Sequence, residues 1–289
     1  MRKKQKVVIL LFLLPWIISF SIFTVYPLFF SILVSFTNYT GLSSSMEFVG
    51  LNNYTKAFSD RVFLTALGNT FAFVLITVPI TTVISLFLGV LLTSGIRFKR
   101  VFQAGYFLPS VISMVVISMV WLYIYSATGP LNLFLTKLGF DIPTRSWLAS
   151  SKTALGSIMV MDIWSALGYY TVLFMAGLQS IPAQLYEAAK IDGATKWQMI
   201  KKITLPLLKP TILFVISINS IRSFQIFTEI FTLTGGGPAN STQTIVHYLY
   251  DISFRKFEMG YGSAIAYILF VIIMTVTFVQ RKLLKGEQM

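Results

Sequence analysis

The sequence contains no cysteine and a single histidine, His247. Disulfide frameworks, thiolate metal sites, cysteine nucleophiles and histidine-rich metal sites are therefore excluded. Charged residues are also scarce, at 11% of the 289 residues, whereas hydrophobic residues reach 55%. A soluble globule could not cover its surface with so few charges, because ordinary soluble domains contain about 25%. Intrinsic disorder is excluded as well, since it requires low hydrophobicity.

Long apolar runs are what the sequence has in abundance. Six of them approach or exceed the ~20 residues that cross ~30 Å of hydrocarbon. They extend over residues 7–36, 67–92, 106–125, 154–178, 211–232 and 262–279. This pattern predicts an all-α polytopic membrane protein with six transmembrane helices, in a single domain over residues 1–289. The first run follows the basic segment 1–6, but it is longer than a signal-peptide core of about 7–15 residues, so we expect a retained span.

The net charge of +13 would suggest a nucleic-acid partner in a soluble protein. With the N-terminus placed in the cytoplasm, 15 of the 23 Lys and Arg residues fall on the inner side, seven fall on the outer side, and Arg222 lies within a span. Cytoplasmic loops of membrane proteins are enriched in Lys and Arg. We therefore expect both termini in the cytoplasm and no nucleic-acid partner.

The longest predicted cytoplasmic loop, residues 182–209, has the pattern of two short helices joined by a turn. Pro182 suits a first helical turn, and Gly193 suits the left-handed conformation that ends a helix. A second amphipathic stretch follows over residues 194–203. Such a loop is either an ordinary connector or a helix that docks into a groove of a partner.

The loop reads Glu-Ala-Ala-x-x-Asp-Gly-Ala and then Ile-Thr-Leu-Pro-Leu-Leu-Lys-Pro, and it resembles the EAA loop of permease subunits of ATP-binding cassette (ABC) importers. The wider chain resembles the carbohydrate branch of that family, with its maltose-, glycerol-phosphate- and raffinose-type first permeases, in a compact six-span form. The residues that carry this wider resemblance are Asn69-Thr70, Trp121, Gly129–Asn132, Trp164, Gly168, Ala176–Pro182, Thr234–Pro238 and Ser241-Thr242.

The resemblance implies a type I importer permease in a bacterial or archaeal cell (inner) membrane. The chain would form half of a sugar pathway with a second, homologous permease, surrounded by membrane lipid. Two ATPase subunits would dock from inside, and an extracytoplasmic solute-binding protein would deliver the sugar. The implied ATPase-coupling residues are Glu187, Ala188, Ala189, Asp192, Gly193 and Ala194.

No G-x-x-x-x-G-K-[ST] phosphate loop occurs in the sequence. The segment Gly235–Pro238 lacks the lysine and is more simply a tight turn. We therefore expect no cofactor on this chain and no enzyme activity, with ATP and Mg²⁺ bound by partner ATPase chains. Neither paired carboxylates nor a Ser–His–Asp arrangement points to catalysis.

Polar residues within predicted spans mark a candidate substrate pathway, because they usually face the bundle interior. In span five, polar residues spaced by 3, 3 and 4 fall on one face of a continuous helix, with aromatic residues beside them. Span four adds an acidic and an aromatic residue. The candidate set is Asp162, Trp164, Asn219, Arg222, Phe224, Gln225, Phe227 and Glu229. Two interpretations remain open: these residues line the pathway, or Asp162, Arg222 and Glu229 form ion pairs that hold the bundle together.

A neutral oligosaccharide is the leading substrate, with glycerol-3-phosphate as the alternative because Arg222 could meet a phosphate.

An ion-coupled secondary transporter, with Asp162 and Glu229 as cation sites, is a second functional class. It is disfavoured because the chain has no internal inverted repeat. A membrane enzyme acting on lipid or glycan is the third class, and it lacks a catalytic cluster.

Overall fold

A computed structural model of the chain describes residues 3–42, 45–93, 99–140 and 145–285. Within these ranges the regular structure is helical, apart from one isolated bridge between Thr37 and Phe48. The α-helices are α1 (Lys3–Phe20), α2 (Tyr26–Ser35), α3 (Asn52–Ser59), α4 (Arg61–Thr93), α5 (Lys99–Val111), α6 (Met114–Ile124), α7 (Pro130–Lys137), α8 (Ala154–Gln179), α9 (Ala183–Ile191), α10 (Lys196–Met199), α11 (Leu205–Phe224), α12 (Thr228–Leu233), α13 (Ile245–Tyr250) and α14 (Met259–Lys285). Short π-helical turns cover Ser21–Val25, Ile200–Thr204 and Asp251–Arg255, and a 3₁₀ turn covers Trp147–Ala149.

Five helical stretches in the described ranges are long and apolar enough to cross a membrane. They are Ile9–Ser35, Arg61–Thr93, Ala154–Gln179, Lys196–Phe224 and Met259–Leu283. A sixth is present if Val101–Val111 and Met114–Ile124 count as one broken span, since the two helices meet at a bend of 102°. The predicted all-α fold with apolar spans is confirmed.

The broken span differs from the straight helix predicted over residues 106–125. α5 ends at Val111, and α6 starts after Ser113, whose extended backbone (φ −56°, ψ 132°) redirects the chain. Pro109 lies one turn earlier inside α5. A proline ring has no N–H to donate and crowds the preceding turn, which weakens the helix at this position.

The chain divides into two compact units, and the single transmembrane domain over residues 1–289 stays a prediction. One unit comprises Met1–Arg61 and Leu249–Phe270, and the other comprises Val62–Tyr248 and Val271–Met289. In the first unit, the buried Asn53 amide donates to the carbonyl oxygens of Ser35 and Thr37 at 2.9 and 2.8 Å. These bonds satisfy backbone groups at the end of α2, where intrahelical partners run out.

In the second unit, α8 packs against α5 and α11 and contributes much of the core. Two glycines permit this close approach. A Cβ at Gly168 would overlap the carbonyl oxygen of Tyr106 in α5, and a Cβ at Gly177 would lie 2.6 Å from the Thr211 hydroxyl oxygen of α11. Small residues at such crossings let helix backbones meet in a membrane environment.

We predict that Gly168→Ala destabilises the protein, because the added methyl group meets backbone that cannot rotate away. The expected loss is about 1–3 kcal/mol, typical of overpacking. Thermal unfolding of the detergent-solubilised protein, followed by circular dichroism, measures it. Gly156→Ala is the matched control, since it lies in the same helix with no heavy atom within 4 Å of a new Cβ. Equal melting temperatures for the two variants would contradict the prediction.

Candidate functional site

The central feature of the second unit is a cluster of three charged side chains contributed by three helices. Arg222 at the end of α11 donates from Nη2 to Oδ1 of Asp162 in α8 at 2.7 Å. The same nitrogen lies 3.5 Å from Oε1 of Glu229 in α12. Asp162 and Glu229 are buried, with exposed fractions of 2% and 6%. Burying a carboxylate is costly unless a cation pairs with it, so Arg222 stabilises both acids.

A break in span five separates Arg222 from Glu229. α11 ends at Phe224, and α12 begins at Thr228, so the helix predicted over residues 211–232 is discontinuous. The carbonyl oxygen of Ile226 inside the break accepts a hydrogen bond from the Thr244 hydroxyl at 3.1 Å. Non-helical backbone is tolerated at membrane depth only where such partners exist within the protein. The ion pair to Glu229 bridges this break.

The single polar face predicted for span five is therefore only partly present. Asn219 and Arg222 share the helix α11, whereas Gln225 caps its end and is exposed. Glu229 reaches the cluster through the break rather than along a continuous helix face. The prediction failed on this point because it assumed an uninterrupted 100° rotation per residue.

The aromatic candidates lie at separate places in the second unit. Trp164 in α8 contacts Trp121 in α6, with ring centroids 5.5 Å apart. Phe224 is buried with its ring edge-on to Phe71 at 5.4 Å. Phe227 in the break stacks on the chain's single histidine, His247, at 6.0 Å.

A cavity of about 320 Å³ opens beside Arg222 between α5, α6, α8 and α11. Its polar lining consists of Ser110, Ser165, Tyr169, Tyr170 and Arg222. The two tyrosines and Ser165 are not among the residues predicted from the sequence. The signal was present in the spacing, because positions 165, 169 and 170 follow position 162 by 3, 7 and 8 and therefore share its helix face.

The predicted coupling residues lie on or directly after α9. Pro182 is the N-cap of α9, and Gly193 adopts the left-handed conformation at φ 76° after the helix ends. Glu187, Ala188, Asp192 and Gly193 are exposed, while Ala189 and Ala194 are partly exposed. Large apolar side chains are exposed beside them, including Ile191 at 87% and Trp197 at 70%. An exposed patch that combines apolar and charged residues is typical of a surface that a partner covers.

The second helix of the loop is shorter than predicted. α10 spans four residues and begins with a capping box, in which Thr195 and Gln198 each bond the other's backbone N–H. A π-helical turn then joins α10 to α11, so the predicted amphipathic stretch runs on directly into the transmembrane helix.

The segment Gly235–Pro238 forms a turn held by side chains. Gly235 and Gly236 have φ values of 56° and 86°, which favour glycine. The Asn69 amide of α4 donates to the carbonyl oxygens of Asn240 and Gln243 just beyond the turn, at 3.1 and 2.9 Å. This geometry agrees with a tight turn. In the described part of the chain, no group of three or more His, Asp or Glu residues is placed to hold a metal ion.

The chain matches a family described as "Binding-protein-dependent transport system inner membrane component" over residues 82–286. A probable ABC transporter permease protein of Pyrococcus horikoshii is 36% identical, over 93% of this chain and 92% of that protein. The arabinooligosaccharides transport system permease protein AraP of Bacillus subtilis is 35% identical, over 96% and 89%. The lactose transport system permease protein LacF of Rhizobium radiobacter is 34% identical, over 93% and 91%.

Solved structures show the same fold. A bacterial ABC transporter involved in the import of the acidic polysaccharide alginate matches with a TM-score of 0.85 at 23% identity, over 99% of this chain and 98% of that chain. The alginate transporter in complex with an alginate pentasaccharide-bound periplasmic protein matches equally well, with a TM-score of 0.85. The predicted importer-permease fold is thus confirmed. The chain belongs to the family of binding-protein-dependent transport system inner membrane components, and it is a multi-pass transport subunit of the membrane rather than an enzyme.

Proposed function

We propose that this chain is one permease subunit of an ATP-driven sugar importer and forms half of the translocation pathway. The observation that carries the proposal is its similarity, over more than nine-tenths of its length, to permeases named for arabinooligosaccharides and lactose. A second, homologous permease supplies the other half of the pathway. A solute-binding protein delivers the sugar from outside, as the complex of the alginate transporter with its periplasmic protein supports.

The charge cluster favours a neutral oligosaccharide over glycerol-3-phosphate. A phosphate site usually presents more than one cation or other strong donors to the anion. Here Nη2 of the single cation, Arg222, is engaged by Asp162 and Glu229, and these two acids outnumber the one cation. An anionic solute approaching this group would therefore meet two carboxylates in a low-dielectric environment, where repulsion is strong.

The cavity beside Arg222 suits a sugar in its chemistry. Tyr169 and Tyr170 supply aromatic rings and hydroxyl groups, and Ser165 adds a further hydroxyl. Ligand sites combine apolar surface with a few polar groups that fix orientation. We assign these residues, with Arg222, to the pathway, and we propose that Asp162 and Glu229 hold the Arg222 side chain in place beside it.

Coupling to ATP occurs through α9 and the turn after it. The sequence has no phosphate loop, so ATP and Mg²⁺ bind on two partner ATPase chains. The exposed surface of α9, with Glu187, Ala188, Ala189, Asp192, Gly193 and Ala194, is the docking element. Its exposure in the isolated chain supports this assignment. The surplus of Lys and Arg on the side of α9 supports a cytoplasmic position for that side and for both termini.

Affinity purification from the native membrane tests the proposed assembly. We expect a second permease and an ATPase to co-purify in stoichiometric yield. Vesicles containing the complex and loaded with ATP should take up a labelled neutral oligosaccharide only when the solute-binding protein is present. Uptake that an uncoupler abolishes and that is indifferent to ATP would instead identify a secondary transporter.

Glu187→Lys tests the docking assignment. The substitution reverses an exposed charge on α9, so folding and expression should change little, as for most surface substitutions. ATPase co-purification should fall about tenfold or more, because an interfacial charge is reversed. Glu187→Gln, which only neutralises the charge, is the graded control and should fall less. A Glu187→Lys variant with full ATPase co-purification and uptake would show the assignment to be wrong.

A single and a double variant distinguish whether Arg222 only stabilises the helix bundle or also takes part in the sugar pathway. Arg222→Gln leaves two buried carboxylates unpaired and should cost about 3–5 kcal/mol of stability. Adding Asp162→Asn restores the net charge of the cluster and removes one of the two unpaired carboxylates, so the double variant should regain part of the lost thermal stability, with Glu229 still unpaired. We expect its sugar uptake to remain at least about tenfold below wild type. A double variant that regains both stability and uptake would assign the cluster to bundle stability alone.

A further inference from the structure

Two turns of the chain isolate α9 from the helices on either side. The chain enters α9 through Pro182, whose extended backbone (φ −58°, ψ 129°) follows the end of α8. It leaves through Gly193 in the left-handed conformation, where no heavy atom lies within 4 Å of a potential Cβ. Turns of this kind absorb changes in backbone angle easily. One backbone hydrogen bond crosses the Gly193 turn, from the Ala194 N–H to the carbonyl oxygen of Ala189 at 2.9 Å. The main chain therefore holds α9 to the following helix only through this short turn.

A side-chain contact links α9 to that helix. The hydroxyl groups of Tyr186 in α9 and Thr204 at the base of α11 lie 2.9 Å apart. The Thr204 hydroxyl donates in turn to the carbonyl oxygen of Met199 at 3.4 Å, so the Tyr186 hydroxyl donates to Thr204. Thr204 is buried, with 3% exposure, whereas Glu187 beside Tyr186 is exposed. Tyr186 thus contacts its own chain while its neighbour remains available to a partner.

Thr204 lies in one long helical stretch that also holds the charge cluster. Lys196–Phe224 is continuous through its π-helical turn and reads as one membrane span. Arg222 lies 18 residues after Thr204, which corresponds to ~27 Å at 1.5 Å per residue. The stretch stays helical through Pro206 and Pro210, so a displacement at Thr204 is passed along one continuous element towards Arg222.

We infer that the Tyr186–Thr204 hydrogen bond is the positioning contact through which movement of α9 is passed to α11 and so to the pathway. This inference rests on the proposed coupling role of α9. Without the bond, ATPase subunits still dock on the exposed face of α9 and hydrolyse ATP, but α9 tilts about Gly193 without carrying α11 with it. The loss is one of coupling, and docking is unaffected.

The test uses the complete complex in proteoliposomes with ATP inside, the solute-binding protein outside and a labelled oligosaccharide identified by uptake with the wild type. Tyr186→Phe and Thr204→Val each remove one hydroxyl and preserve shape. We expect ATPase co-purification to equal wild type and the sugar transported per ATP hydrolysed to fall about 3- to 10-fold, the scale of one buried hydrogen bond. Thr204→Ser retains the hydroxyl and should remain near wild type.

The double variant Tyr186→Phe/Thr204→Val should be no worse than Thr204→Val alone, because Tyr186→Phe removes only the interaction that Thr204→Val has already removed. Tyr123→Phe is the control for loss of a tyrosine hydroxyl, since Tyr123 lies exposed on α6, distant in sequence from the coupling loop. The inference would be overturned if both single variants transported as much sugar per ATP as a wild type in which transport depends on ATP hydrolysis. The proposed function would then remain intact. Reduced ATPase co-purification, or additive losses in the double variant, would also overturn it. A wild type that binds no ATPase would refute the proposed function, and this inference with it.

Discussion

The second unit is organised around one guanidinium group that serves two buried carboxylates. Arg222 pairs with Asp162 at 2.7 Å and lies 3.5 Å from Glu229, so it links α8, α11 and α12. In a membrane protein the alternative partner, water, is scarce, and an unpaired acid at this depth would cost several kcal/mol. The break at the end of α11 depends on this pairing, because Glu229 is held in place across the break. The cavity lined by Tyr169 and Tyr170 is bordered by the same side chain.

The two functional regions of the chain have opposite physical characters. The two acids of the charge cluster are buried and share Arg222 as their cation within the chain, whereas α9 is exposed and has apolar side chains such as Ile191 that no described residue covers. A buried paired cluster suits a role that requires fixed geometry. An exposed mixed surface suits reversible docking of another subunit. The long helix from Lys196 to Phe224 runs from one region towards the other.

Local sequence patterns predicted the elements well where local forces decide them. The apolar runs identified the spans, because hydrocarbon thickness fixes their minimum length. Pro182 and Gly193 marked the limits of α9, since these two residues have restricted or unusual backbone preferences. The pattern over residues 106–125 predicted the apolar character but not the bend. Apolar periodicity does not register Pro109 inside the run or the extended backbone of Ser113 that redirects the chain.

The sequence by itself determined that the chain is an all-α membrane protein, the positions of its apolar spans, and the loop by which its family is recognised. Composition and the length of the apolar runs suffice for the first two properties, and the resemblance of the loop motif to a known family gives the third. Each depends on residues close together in the chain. Only the tertiary structure decided that Arg222 serves both acids, that the helix breaks between Arg222 and Glu229, and that Tyr186 meets Thr204. Each of these depends on groups brought together by packing, where desolvation makes an unpaired polar atom costly and so selects the partner.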